Sequence, residues 1–299
     1  MTNEPAGRIA ALLAPLRALA DEVVIAADAR VDTVTLAGYA ALADRLFTVD
    51  FLLYERHLSW LHAQCTSDWI LRLDGDELTS AALVRRLPEL LERRDVQQYW
   101  IRRSWVYPDA ATVLDELPWS TDYLNRLVRN DGTLSFTGLQ HAHADPVTPS
   151  AYIEQPVFHL ELLLADEAAR RSKAIRYEVT RPKLRPPGGG RFNEAYYLPE
   201  LRRRLRTSDA PSEDAPALVE AIHAGAPTVR GCSSAVKHVP LAQMDALWPG
   251  RTLAPAAYRA AIVARRQRSR SLRARRVWSS CTSATRAPST GRAGCRRHR

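Results

Sequence analysis

The chain has 299 residues, 46% of them apolar and 25% charged, which is enough to bury a sizeable core as one large or two modest globular domains. Its net charge of +9 is a property of one end: residues 265–299 hold twelve arginines and no Lys, Asp or Glu, leaving 30 basic against 33 acidic residues elsewhere. That distribution argues against a nucleic-acid-binding fold, and no specific nucleic-acid partner is expected.

The elements alternate from the start. Gly7–Ala20 has the apolar stripe of an amphipathic helix, and Glu22–Ala26 (EVVIA) reads as a short buried strand. Val34–Asp44 is helical, Arg45–Val49 (RLFTV) strand-like, Leu53–Gln64 helical and Trp69–Leu73 a strand again. Alternation with short connections predicts an α/β fold with a doubly wound, mostly parallel sheet whose ligands sit beyond the carboxyl ends of the strands. Ser80–Arg93 predicts a helix that Pro88 kinks or shortens.

Further on, Gln97–Tyr107, Leu124–Asn130, Leu134–Thr137 and Tyr152–Leu160 predict a smaller mixed β region. Ala165–Tyr177 predicts a helix, Pro186–Gly190 a flap or linker, and Tyr196–Arg206 and Ser212–His223 two more helices before a less regular stretch to Val263. Residues 265–299 lack apolar periodicity and cannot offset their ordering entropy, so a disordered Arg/Ser-rich tail is expected; its abrupt composition also resembles out-of-frame translation of a GC-rich gene. The cysteines Cys65, Cys232, Cys281 and Cys295 have neither metal-ligand spacing nor framework density, which suits free thiols in a reducing cytoplasm. No apolar run reaches the ~18 residues of a spanning helix. Peripheral contact with the inner face of a membrane is left open.

The segment Asp68–Glu77 (DWILRLDGDE) carries most of the chemistry. Side chains alternate along a strand, so Asp74 and Asp76, separated by the small Gly75, can point the same way from its end and grip a divalent cation or a metal-bound diphosphate. The competing reading is a surface Asp-Gly hairpin turn, disfavoured because the residues that follow read as helical. His141 and His143 flank Ala142 as two metal ligands or a base and its neighbour would, with His159 a weaker candidate, and Asp145 is a candidate general base or a cap before Pro146. The aromatics Tyr99, Trp100, Trp105, Tyr107 and Trp119 fit a core better than a sugar platform. There is no GxGxxG, GxxxxGK[ST], GxSxG or HExxH, which disfavours dinucleotide, P-loop and serine-hydrolase chemistry.

Taken together, EVVIAADARVD, the intervening helix–strand–helix and DWILRLDGDE resemble the family 2 glycosyltransferases of the GT-A fold, over roughly residues 1–180. Arg126–Asn130 with Gly138–His141, and Phe158–Leu160 with Arg171, Lys173 and Tyr177, resemble the family's arginine-rich strand, its downstream Val-His-Glu turn and its distal His-containing strand and basic helix. The resemblance implies a GT-A-like core over 1–165, a helical acceptor-side or accessory region over 166–264 and the tail over 265–299. It also implies a donor site with Asn3, Glu4 and Asp28 near the nucleotide, and Asp74, Gly75, Asp76 and Arg126 at the diphosphate. A divalent Mn or Mg would be held by Asp74, Asp76 and His141.

The general base is left among Asp145, His141 and Glu77, since Ala142 stands where the family often has Glu. The implied reaction is transfer of a sugar from a nucleotide-diphosphate donor to a hydroxyl of a glycan, glycolipid or protein acceptor, with inversion. Family members open on a strand ending in a Thr-x-Asn-Glu type sequence, whereas this chain begins at Met1-Thr2-Asn3-Glu4. A missing first strand, an exposed strand edge and a start-site truncation are therefore expected. Leu73–Asp76 also resembles the haloacid-dehalogenase motif, and an inactive nucleotide-sugar-binding remnant is a third reading.

Overall fold

The computed structural model describes residues 2–50, 54–132, 134–136, 149–180, 192–224 and 236–239. His141, His143, Asp145, Thr137, the Pro186–Gly190 segment and the tail from 265 onward lie outside the described residues.

The first elements follow the sequence closely. α1 (Ala6–Leu13) ends earlier than its apolar stripe because Pro15 has no N–H to continue the helical ladder, and a single 3-10 turn, Ala14–Leu16, follows. β1 (Val24–Asp28) runs to the carboxylate at its end. The N-cap of α2 (Thr33–Leu42) is Asp32, whose side chain accepts the Thr35 N–H at 2.8 Å. β2 (Arg45–Val49), α3 (Tyr54–His62) and β3 (Trp69–Leu71) come next.

The structure then departs from expectation. Glu77–Thr79 form a strand, β4, before Ser80 caps α4 (Ala81–Glu92), which carries Pro88 within it. β5 (Gln98–Trp105), β6 (Thr112–Leu114), β7 (Tyr123–Arg129) and β8 (Ser150–His159) make the middle of the chain. The strand expected at Leu134–Thr137 is absent over 134–136. Phe136 instead turns inward beside Leu58, Ile70 and Val128, its N–H donating to Ser59 Oγ, so burial of one ring overrides the local β pattern.

α6 (Glu167–Thr180) is the helix expected at Ala165–Tyr177, and a short unexpected helix, α5 (Glu161–Leu164), precedes it. α7 (Phe192–Tyr197) ends near Pro199, the helix expected at Tyr196–Arg206 is reduced to a 3-10 turn at Pro199–Leu201, and β9 (Thr207–Asp209) follows. α8 (Ala215–His223) and β10 (Val236–Val239) complete the described elements.

The architecture is mixed α/β with parallel and antiparallel strands. One sheet is wholly parallel, in the order β1-β2-β10. The larger has the order β3-β7-β5-β8-β4, in which only β5 and β8 run parallel. β6 and β9 form a small antiparallel pair. Tyr99, Trp105 and Trp119 are buried, as the core reading of the aromatics requires, whereas Trp100 and Tyr107 are half-buried. No helix among the described residues is long and apolar enough to cross a membrane.

Candidate functional site

The acidic segment Asp74–Glu77 is a tight turn. Glu77 N–H donates to the Asp74 carbonyl at 3.1 Å, and the Asp74 N–H donates to Glu77 Oε2 at 3.0 Å. It is not a hairpin, because β3 and β4 lie at opposite edges of the larger sheet, and the chain leaving the turn pairs with β8. That pairing decides the site: Glu77 stands opposite His159, and the Leu160 N–H donates to the Asp76 carbonyl at 2.9 Å. Residues some eighty positions apart in the chain are thereby brought side by side.

Asp76, His159 and Glu161 each offer one ligand atom, all within 4.8 Å of one another. His159 Nε2 lies 3.3 Å from Asp76 Oδ2 and 3.9 Å from Glu161 Oε2. Its Nδ1 is buried without a hydrogen-bond partner among the described residues, so Nε2 is the ring nitrogen that faces the carboxylates. The ring is fixed by an edge contact with Trp105, 4.0 Å between centroids. Lys173 Nζ reaches both Glu161 oxygens, at 2.5 and 2.6 Å. Burial opposes ionisation of Asp76, but His159 and Lys173 outweigh it and hold its pKa down at about 2. Burial likewise disfavours the Lys173 ammonium, and Glu161, Tyr177 and Asp76 overcome it to raise that pKa.

The other half of the motif is spent internally. Glu77 is fully buried, paired with Arg126 and 3.7 Å from Arg103. Arg126, itself buried, also holds Asp74 Oδ2 at 2.5 Å. Arg103 passes to Asp122, which also accepts from Trp105 Nε1 at 2.8 Å and the Tyr196 hydroxyl at 2.6 Å. Arg126, expected at the diphosphate, thus lies beneath the turn, and Glu77, a base candidate, is committed to guanidinium groups.

The N-terminal residues close the site from the other sheet. Thr2 N–H donates to the Ala26 carbonyl at 2.9 Å and the Asp28 N–H donates to the Thr2 carbonyl at 3.1 Å, a one-residue parallel bridge on the free edge of β1. Gly75 is required there, since a Cβ would stand 2.8 Å from Thr2 Oγ1 and 2.9 Å from Glu4 Cγ. Burial first, then the charges of Asp76 and Glu161 against the opposing Arg8, raise the Glu4 pKa, so Glu4 senses the acidic cluster. Asn3 is exposed beside it. Asp28 is buried and clasped by Arg30, whose hydrogen bonds lower its pKa in spite of burial.

Of the residues singled out from sequence, Glu4, Asp28, Asp74, Gly75, Asp76, Glu77 and Arg126 therefore surround one turn or the strand end bridged to it by Thr2. Asp145 and His141 lie outside the described residues. Glu161 was missed. A carboxylate two residues after a strand-terminal His is the signal that marks it, and it becomes readable only once β8 is known to end at His159. Comparison with protein-family models gave no match, and neither did comparison with curated proteins.

Proposed function

We propose that the chain is a GT-A-like glycosyltransferase core that transfers a sugar from a nucleotide-diphosphate donor to an acceptor hydroxyl, with inversion and with a divalent cation. The observation that carries this reading is the convergence of Asp76, His159 and Glu161 where the end of β8 meets the start of β4, on a turn that Thr2 links to Asp28 at the end of β1. Two carboxylates and one imidazole are a donor set that suits Mn better than Mg, which takes oxygen ligands, and Asp76 and Glu161, with His159, are the residues that would hold the ion. Such an ion neutralises negative charge developing on a departing diphosphate.

The remaining work falls to the chain's own groups. Arg126 binds Asp74 and Glu77 together and so sets the turn on which Asp76 projects. Lys173 pairs with Glu161 and balances the charge of the adjacent acids, a role that a bound divalent cation would share. Asp28 lies at the strand end where a nucleotide base would be read, and Asp145 or His141 takes the acceptor proton. Phosphotransfer through Asp74 as nucleophile is less well supported, because its carboxylate is tied to Arg126.

The test is calorimetry with UDP-, GDP- and dTDP-sugars, with and without Mn, followed by a transfer and hydrolysis assay across the same donors. Manganese-dependent donor binding that Asp76→Asn weakens by roughly tenfold or more is the expected result. Donor binding indifferent to both manganese and Asp76 would sink the proposal.

A further inference from the structure

Between the two sheets lies a cavity of about 1410 Å³ bounded by β1 on one side and β3 on the other. The backbones of both strands are directed into it. On β1, Ala26 and Asp28 use the edge that meets Thr2, so Val24, two residues earlier, turns its N–H and C=O the same way. On β3, the bonds to β7 are made through Asp68 and Arg72, so the amides of Trp69 and Leu71 point away from β7 and into the cavity. Among the described residues no strand lies between these edges, and the only occupant is the bridge at Thr2, at the far end where Gly75 also closes in.

The helices on either side treat the two sheets as one layer. On one face, α3 packs Trp60 and Leu61 on Val24 and Ala26 of β1 and packs Leu58 on Ile70 of β3. On the opposite face, Leu12 of α1 packs with Ile25 and Ala27, while Leu16 just beyond it packs with Leu87 of α4 over Trp69 and Leu71. A continuous helix layer above and below, with two facing strand edges and a gap between them, is the geometry of a sheet lacking one interior strand. Both helical faces are apolar there, so the gap suits a strand that is apolar on both sides, as interior parallel strands are.

We infer that this gap is a strand-acceptor site. Its occupant is an extended apolar segment of polypeptide lying parallel to β1, in the register the Thr2–Ala27 bridge already sets. About four or five residues suffice to run alongside Val23–Ala27. The inference rests on sheet geometry and not on the transferase reading.

The experiment compares the full chain with a version carrying five added residues of a Val/Ile/Ala strand ahead of Thr2, and with one in which the central added residue is Pro, which cannot donate to a ladder. Thermal melting and the rate of Cys65 alkylation, located by mass spectrometry, are read in each; Cys65 lines the cavity, and burial pushes its thiol pKa up to about 11. The expected result is a rise in Tm of roughly 5 to 10 °C and a slowing of Cys65 alkylation by about tenfold for the apolar strand, and neither effect for the Pro version. Equal behaviour of the three, or equal gains from the Pro version, would overturn the inference. So would a dimer of the unextended chain that protects Cys65 to the same degree, since the edges would then serve a second copy.

Discussion

Within four residues, Asp74–Glu77 shows two opposite uses of a carboxylate. Glu77 and Asp74 are claimed by Arg126, with Arg103 beyond, and that half of the turn is an ion-pair network in which Glu77 and Arg126 are buried and Asp74 half-buried. Asp76 faces the other way, toward an imidazole, a second acid and an ammonium within reach of an incoming cation. Buried acids fully matched by guanidinium donors lock a geometry, whereas acids crowded against one another are stabilised by added positive charge. One side of the turn is thus held by ion pairs, and the other carries the candidate metal-ligand cluster.

The sharpest way to break this division is at Arg126. Arg126→Met leaves Glu77 buried with the more distant Arg103 as its remaining cationic partner, and a loss of about 3–5 kcal/mol in unfolding free energy is expected in urea titrations. The double variant Arg126→Met/Glu77→Gln should recover part of it, because the uncompensated charge is gone. A loss below 1 kcal/mol for the single variant would mean that the network contributes no rigidity.

Acid separates two further groups. Burial, with Arg72 nearby, lowers the His62 pKa from the ordinary 6.5 to about 3, so the folded state holds this ring neutral. The unfolded chain takes up its proton first, and the contribution to stability is whole above pH 6.5 and lost as pH falls toward 3, by up to about 1.4 kcal/mol per pH unit. Asp76, also depressed, keeps its contribution above its ordinary 3.8 and loses it only as pH falls toward 2. Unfolding measured between pH 7 and pH 4 should therefore lose stability through His62 and not Asp76, and His62→Gln, which can still donate to the Leu58 carbonyl, should flatten that limb. An unchanged slope in His62→Gln would refute the assignment.

The smallest effect tests the binding side directly. Asp76→Asn should weaken manganese binding by roughly tenfold or more, about 1.4 kcal/mol, while Asp74→Asn, whose carboxylate already serves Arg126, should change it by less than about threefold. Equal losses from the two variants would return the site to the symmetric Asp-x-Asp grip expected from sequence.

That expectation shows where local reading ends. Through residue 93 the helices and strands were legible almost element by element, because apolar periodicity and caps such as Asp32 and Ser80 act over a few residues. β4, β6, β9 and β10 were not, since three or four residues carry no period and become strands only when a partner edge accepts their amides. Asp74, Asp76 and His159 could be flagged as chemistry-bearing from their types and spacing. That His159 and Glu161 join Asp76, while Arg126 ties up the carboxylates of Asp74 and Glu77, depends on the antiparallel register of β4 on β8 and on what lies beneath the turn. The sequence by itself determined the alternation of the first elements and the acids at their ends. Which acids are neutralised and which stay open was decided by tertiary pairing, because charge compensation is a property of distances in space that no local pattern encodes.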